Sequence, residues 1–209
     1  DNLLPPIMGR NYEIGWKGEW NEGRLNTSVA LYRTDKDNNN QRVNARPHPY
    51  WEPLDQSSRG LDAEISGSLT DRWQVYAGYT FNRSTNRNSV GDNVESRRKG
   101  YNFSSHTPKH MFRLYTSYIL PVDDSKWTVG LGVKSSSKTA NSYGSIKQGG
   151  YTVWNTNVQY RPSKNLQLGL AVNNLTDKRY YENQYSRAAN SGSFYGEPRN
   201  AVFSLKWKM

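Results

Sequence analysis

Apolar and polar residues alternate one by one along most of this chain, and a period of two confines it to extended strands. At the end of the sequence, Ala201, Phe203, Leu205, Trp207 and Met209 share one face, while Val202, Ser204, Lys206 and Lys208 share the other. The pattern recurs with Leu166, Leu168, Leu170 and Val172, and again with Trp127, Val129, Leu131 and Val133. It recurs a third time with Phe112, Leu114, Thr116, Tyr118 and Leu120, and a fourth with Trp73, Val75, Ala77, Tyr79 and Phe81. Segments near 12–20, 25–33, 60–69 and 151–160 behave alike, and no stretch has convincing helical amphipathicity. The reading is about nine strands of roughly 8–11 residues, a length suited to a tilted membrane-spanning strand.

The connections alternate as well. Short turns rich in turn formers lie at 21–23, 70–72, 121–126 and 161–164. Between them come long polar loops at about 34–59, 83–109, 135–150 and 176–198. Antiparallel neighbours produce this rhythm when one end of a sheet is trimmed and the other elaborated. No linker or shift in composition divides the chain into two domains.

Alternation alone fits a soluble sheet with its apolar face inward as well as a barrel with that face in lipid. Composition narrows the choice. Only 34% of the 209 residues are hydrophobic, against the 45–50% usual for a soluble domain, yet 13% are aromatic. Disorder is aromatic-poor, no run approaches the ~18 apolar residues of a membrane helix, and a chain without cysteine has no disulfide framework. A barrel strand needs apolar residues only at alternate positions, which accommodates a mean hydropathy of −0.96. The less apolar face carries Glu13, Lys17, Glu19, Asp62, Glu64, Arg113, Lys206 and Lys208, suited to a wet lumen. On the apolar face, Trp20, Trp73, Tyr118, Trp127, Tyr160 and Trp207 all fall beside the short turns. Trp and Tyr gather at bilayer interfaces, whereas a soluble core scatters its rings through its depth. Girdle and loop asymmetry together favour an all-β, antiparallel, up-and-down transmembrane β-barrel. Nine strands cannot close such a barrel with antiparallel pairing throughout, so the expectation is a piece of a larger one.

Three stretches carry a family resemblance. The run Asn11–Lys17 (NYEIGWK) followed by Gly23–Asn26 (GRLN) resembles a strand–turn–strand of TonB-dependent outer-membrane receptors. Asn173–Tyr181 (NNLTDKRYY) resembles their near-terminal segment, with Thr176 in place of the usual Phe. Tyr195–Asn200 (YGEPRN) and the last strand resemble the ending of the ferric-siderophore branch, with Met209 in place of the usual terminal aromatic. Within that branch the likeness is to receptors for hydroxamate-type and pyoverdine-type siderophores. The resemblance implies that residues 1–209 are the carboxy-terminal portion of a 22-stranded barrel. The plug domain and TonB box of such receptors have no counterpart in the chain. It further implies short turns on the periplasmic side, long loops outside, and a multi-pass protein of the bacterial outer membrane. The implied function is uptake of iron–siderophore complexes, energised by TonB through the amino-terminal region. The implied partners are the ferric siderophore, TonB and outer-membrane lipids. No cofactor is implied, because the siderophore itself supplies the ligands of the iron. A stand-alone small outer-membrane barrel or a soluble β-sheet binding module is the competing reading.

The residues offer no catalytic constellation, and the chain reads as a non-enzyme. His106 and His110 flank Pro108 in a loop that leads into a strand, a poor setting for a metal site. Asp62 and Glu64 share a face simply because they are two residues apart, and suit lumen lining better than acid–base work. Lys and Arg exceed Asp and Glu by ten, with basic residues at Arg83, Arg87 and 97–99. No nucleic-acid fold signature accompanies them; attraction of anionic ligands or contact with lipid phosphates is the milder reading. A ligand pocket joins aromatic walls to a few convergent polar groups. On that basis the candidate extracellular vestibule comprises Tyr32, Tyr50, Trp51, Tyr101, Tyr143 and Arg187. Tyr180, Tyr181 and Tyr195 belong to the resembling motifs and are assigned to the framework.

Overall fold

The computed structural model describes residues 4–44, 48–91, 94–141, 146–184 and 193–208. Its strands are β1 (Met8–Trp20), β2 (Leu25–Val43), β3 (Tyr50–Thr70), β4 (Trp73–Asn86), β5 (His110–Ile119), β6 (Trp127–Ser136), β7 (Tyr151–Tyr160), β8 (Leu166–Asn173) and β9 (Asn200–Trp207). Each pairs antiparallel with the next in chain order, forming one nine-stranded up-and-down sheet with β1 and β9 at its edges. Two small ribbons stand in the connections: Thr139–Ala140 with Lys147–Gln148, and Tyr181–Gln184 with Ser193–Tyr195. The short turns lie where the sequence suggests. Asn21, Glu22 and Gly23 turn the chain at positive φ, and Asp123, Asp124 and Ser125 do the same between β5 and β6.

The register gathers the alternating apolar positions onto one continuous surface. Leu31 faces Leu61, which faces Phe81; Leu114 faces Val133, which faces Trp154; Leu170 faces Phe203. Nothing covers this surface among the described residues. Leu131 is 37% exposed, Leu205 63% and Phe203 68%. Among the described residues, the buried apolar side chains are Val133, flanked on this face by Leu114 and Trp154, and two small clusters toward the loop end, Val43–Leu54–Val90 and Tyr151–Val153–Tyr180. A soluble sandwich would bury its apolar face, and a surface this large and bare needs another apolar phase. Several of its polar atoms near the short turns are paired within the sheet, as a hydrocarbon border favours. Trp20 donates its indole N–H to Thr27 Oγ1 at 2.9 Å, and Trp73 donates to Thr116 Oγ1 at 2.7 Å. Thr116 and Thr156 in turn donate to the carbonyls of Gln74 and Gly130.

The aromatic girdle does not follow the hydrogen-bonded rows; it steps down across them. Trp20 is in register with Leu25, Gly67 and Val75, and Trp73 lies two positions nearer the turns. Trp73 is in register with Tyr118 and Val129, and Trp127 again lies two positions nearer the turns. Trp127 aligns with Tyr160, Leu168 and Leu205, and Trp207 lies two positions beyond. A plane that crosses tilted strands descends in this way. Six residues of descent over eight strand spacings correspond to a tilt of about 30°, near the ~35–45° of barrels. The girdle therefore marks a membrane plane.

The strands depart from the sequence reading on one side. Stretches 34–43 and 50–59, expected as loop, continue β2 and β3, and β4 runs on to Asn86. Their Asn, Asp, Ser and Arg content disfavours strand by propensity, but pairing overrides it: 34–36 and 56–59 have neighbours on both sides, and beyond the bulge 39–43 and 50–54 pair with each other.

Candidate functional site

The upper ends of β2–β4 are held by ion pairs and amide contacts. On the outward face, Arg87 lies 3.6 Å from Asp35, 3.2 Å from Asp37 and 3.5 Å from Asp55. Arg33 adds a bond of 3.0 Å to Asp35, and Arg10 pairs with Asp37. The Asp35 side chain is only 7% exposed. Burial opposes its ionisation, but hydrogen bonds from Arg33 and Ser57 and the charges of Arg33 and Arg87 outweigh that effect. The Asp35 carboxyl is therefore held below the usual carboxylate range. Asn38, at a φ of 60° where β2 bulges, donates its backbone N–H to Asp55. On the opposite face, Asn39 donates to Gln56, Gln56 to Asn86, and Asn86 to the carbonyls of Ser96 and Arg98. These contacts lock the connection after β4 onto the tall hairpin.

The rim above β5–β9 is built from stacked rings. Tyr180 stacks on Tyr151 at 4.4 Å between centroids, and Lys134 lies 5.9 Å from the Tyr180 ring while pairing with Glu182 at 3.1 Å. A Cβ at Gly196 would fall 2.0 Å from that ring, so only glycine fits beneath it. Burial pushes the Tyr180 phenol up, with Glu182 acting in the same sense and Lys134 against it. Tyr181 stacks on Tyr195 at 4.6 Å. The framework assignment of Tyr180, Tyr181 and Tyr195 agrees with this mutual packing. Lower on the same inner face, Glu64 and Arg113 flank Gly78 in register, a mixed-charge surface facing the lumen side.

The vestibule candidates do not form one cluster. The Tyr32 ring covers Gly60 on β3, where an added Cβ would lie 2.5 Å from the hydroxyl. Tyr50 and Trp51 open β3 and are 46% and 53% exposed. They stand nine or ten positions beyond Gly60, about 30 Å along the strand from Tyr32. Alternation along β3 puts Tyr50 on the inner face with Leu54 and Gly60, and Trp51 on the outer face with Asp55 and Leu61. Tyr101 is half-buried at the top of β4, where its carbonyl accepts the Asn86 N–H. Tyr143 and Arg187 lie outside the described residues. Sequence reasoning missed the amide chain Asn39–Gln56–Asn86 and the Arg–Asp cluster. Their signal was paired polar residues in segments taken for loop.

An open wall of tilted strands, apolar outside, polar inside and girdled by aromatics, defines an integral outer-membrane β-barrel protein. The sequence comparisons agree. The family model for TonB dependent receptor-like β-barrels matches residues 1–175. The ferric-pyoverdine M114 receptor PbuA of Pseudomonas sp. (strain M114) is 35% identical over 98% of the chain and 25% of its own length. The ferric-pyoverdine 358 receptor of Pseudomonas putida is 34% identical over 98% of the chain and 24% of its own length. Among solved structures, the pyoverdine outer membrane receptor FpvA of Pseudomonas aeruginosa PAO1 bound to pyoverdine superimposes with a TM-score of 0.80 at 31% identity, covering 99% of this chain and 30% of that one. The chain belongs to the TonB-dependent receptor β-barrel family, and its place is the outer membrane. It spans about a quarter of the length of those curated relatives.

Proposed function

We propose that this chain is the carboxy-terminal portion of a receptor that takes up ferric siderophores, with pyoverdine-type chelates as the cargo class. The supporting observation is similarity along almost the whole chain to receptors for ferric pyoverdine, at 35% and 34% identity. The lipid-facing exterior and mixed-charge interior described above suit a barrel wall. In this reading the long connections face outward. Tyr50, Trp51 and Tyr101, with Tyr143 and Arg187, contribute to the vestibule, and Tyr32 lies deeper on the wall. The chelate brings its own iron ligands, so the wall supplies rings and hydrogen-bond partners. TonB acts through a region outside this chain, and the protein is a transporter.

The test is uptake of radioiron-labelled ferric pyoverdine by cells carrying or lacking the full-length gene, in backgrounds with and without TonB. Uptake that needs both supports the proposal. Uptake unchanged by loss of the gene, or selective for ferric catecholates, overturns the cargo class.

A further inference from the structure

The register produces one arrangement that cargo transport does not use. Arg33 on β2 pairs directly with Arg59 on β3, and Arg59 pairs directly with Arg83 on β4. No bulge interrupts the register between these rows and the rows of Leu31, Leu61 and Phe81 beside them. All three arginines therefore stand on the lipid-facing side, and all three are exposed. Tyr12 continues the row onto β1. Directly opposed like charges on one sheet face repel, with side chains about 4.5–5.5 Å apart at Cβ. Arg33 is partly neutralised by Asp35. Arg59 and Arg83 have no ion pair or hydrogen bond among the described residues, although an Asp cluster lies one and two rungs above them.

Height identifies what the row meets. Ten positions separate Trp73 of the girdle from Arg83 on β4, and eight separate Leu25, in register with Trp20, from Arg33 on β2. At ~3.4 Å per residue and the tilt of barrel strands, these spans rise roughly 20–29 Å, the height of a ~25 Å apolar band. Across three strands the row itself climbs only about 5 Å. The guanidinium groups thus sit at the far edge of the hydrocarbon, where headgroups begin. The row is local. At the loop end of the same face, β5–β9 present His110, Ser135, Thr152, Val172 and Ala201, and no Lys or Arg.

We propose that Arg33, Arg59 and Arg83 form a binding site for the phosphate groups of a phosphorylated lipid in the leaflet at the loop end of the barrel. A guanidinium fork matches phosphate oxygens bidentately, and an anion lodged among the three relieves their repulsion. Acyl chains of the same lipid would lie along Leu31, Leu61 and Phe81 immediately below.

The test uses the full-length receptor in neutral phosphatidylcholine nanodiscs, titrated with diphosphoryl lipid A and read by native mass spectrometry. Arg59→Gln with Arg83→Gln is the principal variant, because neither residue makes an ion pair or hydrogen bond among the described residues and Gln keeps part of the stem's packing. Retention of the lipid should fall about tenfold or more, near the sum expected for two basic groups at a membrane surface. Ferric-siderophore affinity should stay unchanged, which separates this site from the cargo site. Arg59→Lys with Arg83→Lys, which keeps the charge but loses the fork, should bind between wild type and the Gln variant. Fully dephosphorylated lipid A should bind wild type as weakly as the Gln variant, and millimolar inorganic phosphate should not displace the lipid. Equal retention by wild type and the Gln variant overturns the proposal. Equal binding of the dephosphorylated lipid, or displacement by free phosphate, overturns it as well.

Discussion

Strands β2 and β3 continue for 19 and 21 residues, whereas β8 and β9 stop after 8, although all cross one apolar band. In the first half the sheet rises past the bilayer and becomes a soluble hairpin, held by Arg–Asp pairs on one side and amides on the other. In the second half the sheet ends near the membrane edge, and stacked tyrosines and small ribbons finish the rim. The difference teaches that strand and membrane span are separate quantities here. Pairing extends as far as side chains can be satisfied in water, while lipid contact extends only as far as the outward face is apolar.

The largest expected effect tests that boundary. Leu131→Arg, about midway up the band of the short half, should cost about 2–4 kcal/mol in vesicle-supported unfolding of the full-length barrel. Thr85→Arg, on the same face of the tall half but above the arginine row, should stay within about 0.5 kcal/mol. Equal costs would erase the distinction between the halves.

Arg87→Ala should come next, at about 1–3 kcal/mol, because it strips a buried carboxylate of a partner. Hydrogen exchange should quicken over 34–58 and leave β5–β9 untouched. Quickening spread over the whole sheet would show that the tall hairpin is no separate unit.

The vestibule gives a third, finer contrast. Tyr50→Ala should weaken ferric-siderophore binding by roughly tenfold, the scale of an aromatic anchor. Trp51→Ala, on the outer face of the same strand, should weaken it less, and neither should lower the folded amount in the membrane. The reverse order would mean that twist above the bilayer turns Trp51 toward the ligand.

Acid sharpens the comparison further. The folded Asp35 carboxyl lies below its unfolded value, so its stabilising contribution is fully present above about pH 4. It is lost as pH falls through the lowered folded value. Exchange protection of the tall hairpin should drop in that window, while the tyrosine-built rim should not respond. The smallest effect concerns depth: Leu168→Arg should cost only about 0–1 kcal/mol. Leu168 aligns with Tyr160 at the girdle and is not mid-band, as its place in its own strand suggests.

Much of this was legible in the residues. A side chain's face depends on parity alone, so Leu131, Phe203 and Trp207 could be assigned to lipid without knowing any partner strand. Gly, Asn and Asp punctuation located the turns, and the girdle followed from Trp and Tyr beside them. The extents of β2 and β3 were not legible. Asn39, Gln56 and Asn86 look like loop residues until each supplies the other's hydrogen bonds. The separation of Tyr32 from Tyr50 and Trp51 was likewise hidden, because a loop read at 34–59 placed no limit on their distance.

Sequence by itself determined what each strand shows to lipid and to water, because a pleated backbone turns successive side chains to opposite sides whatever lies beside it. Tertiary structure decided which residues stand at the same height. Arg33, Arg59 and Arg83 are far apart along the chain, and only cross-strand hydrogen bonding fixes their alignment. Register is a relation between strands, and no single strand contains it.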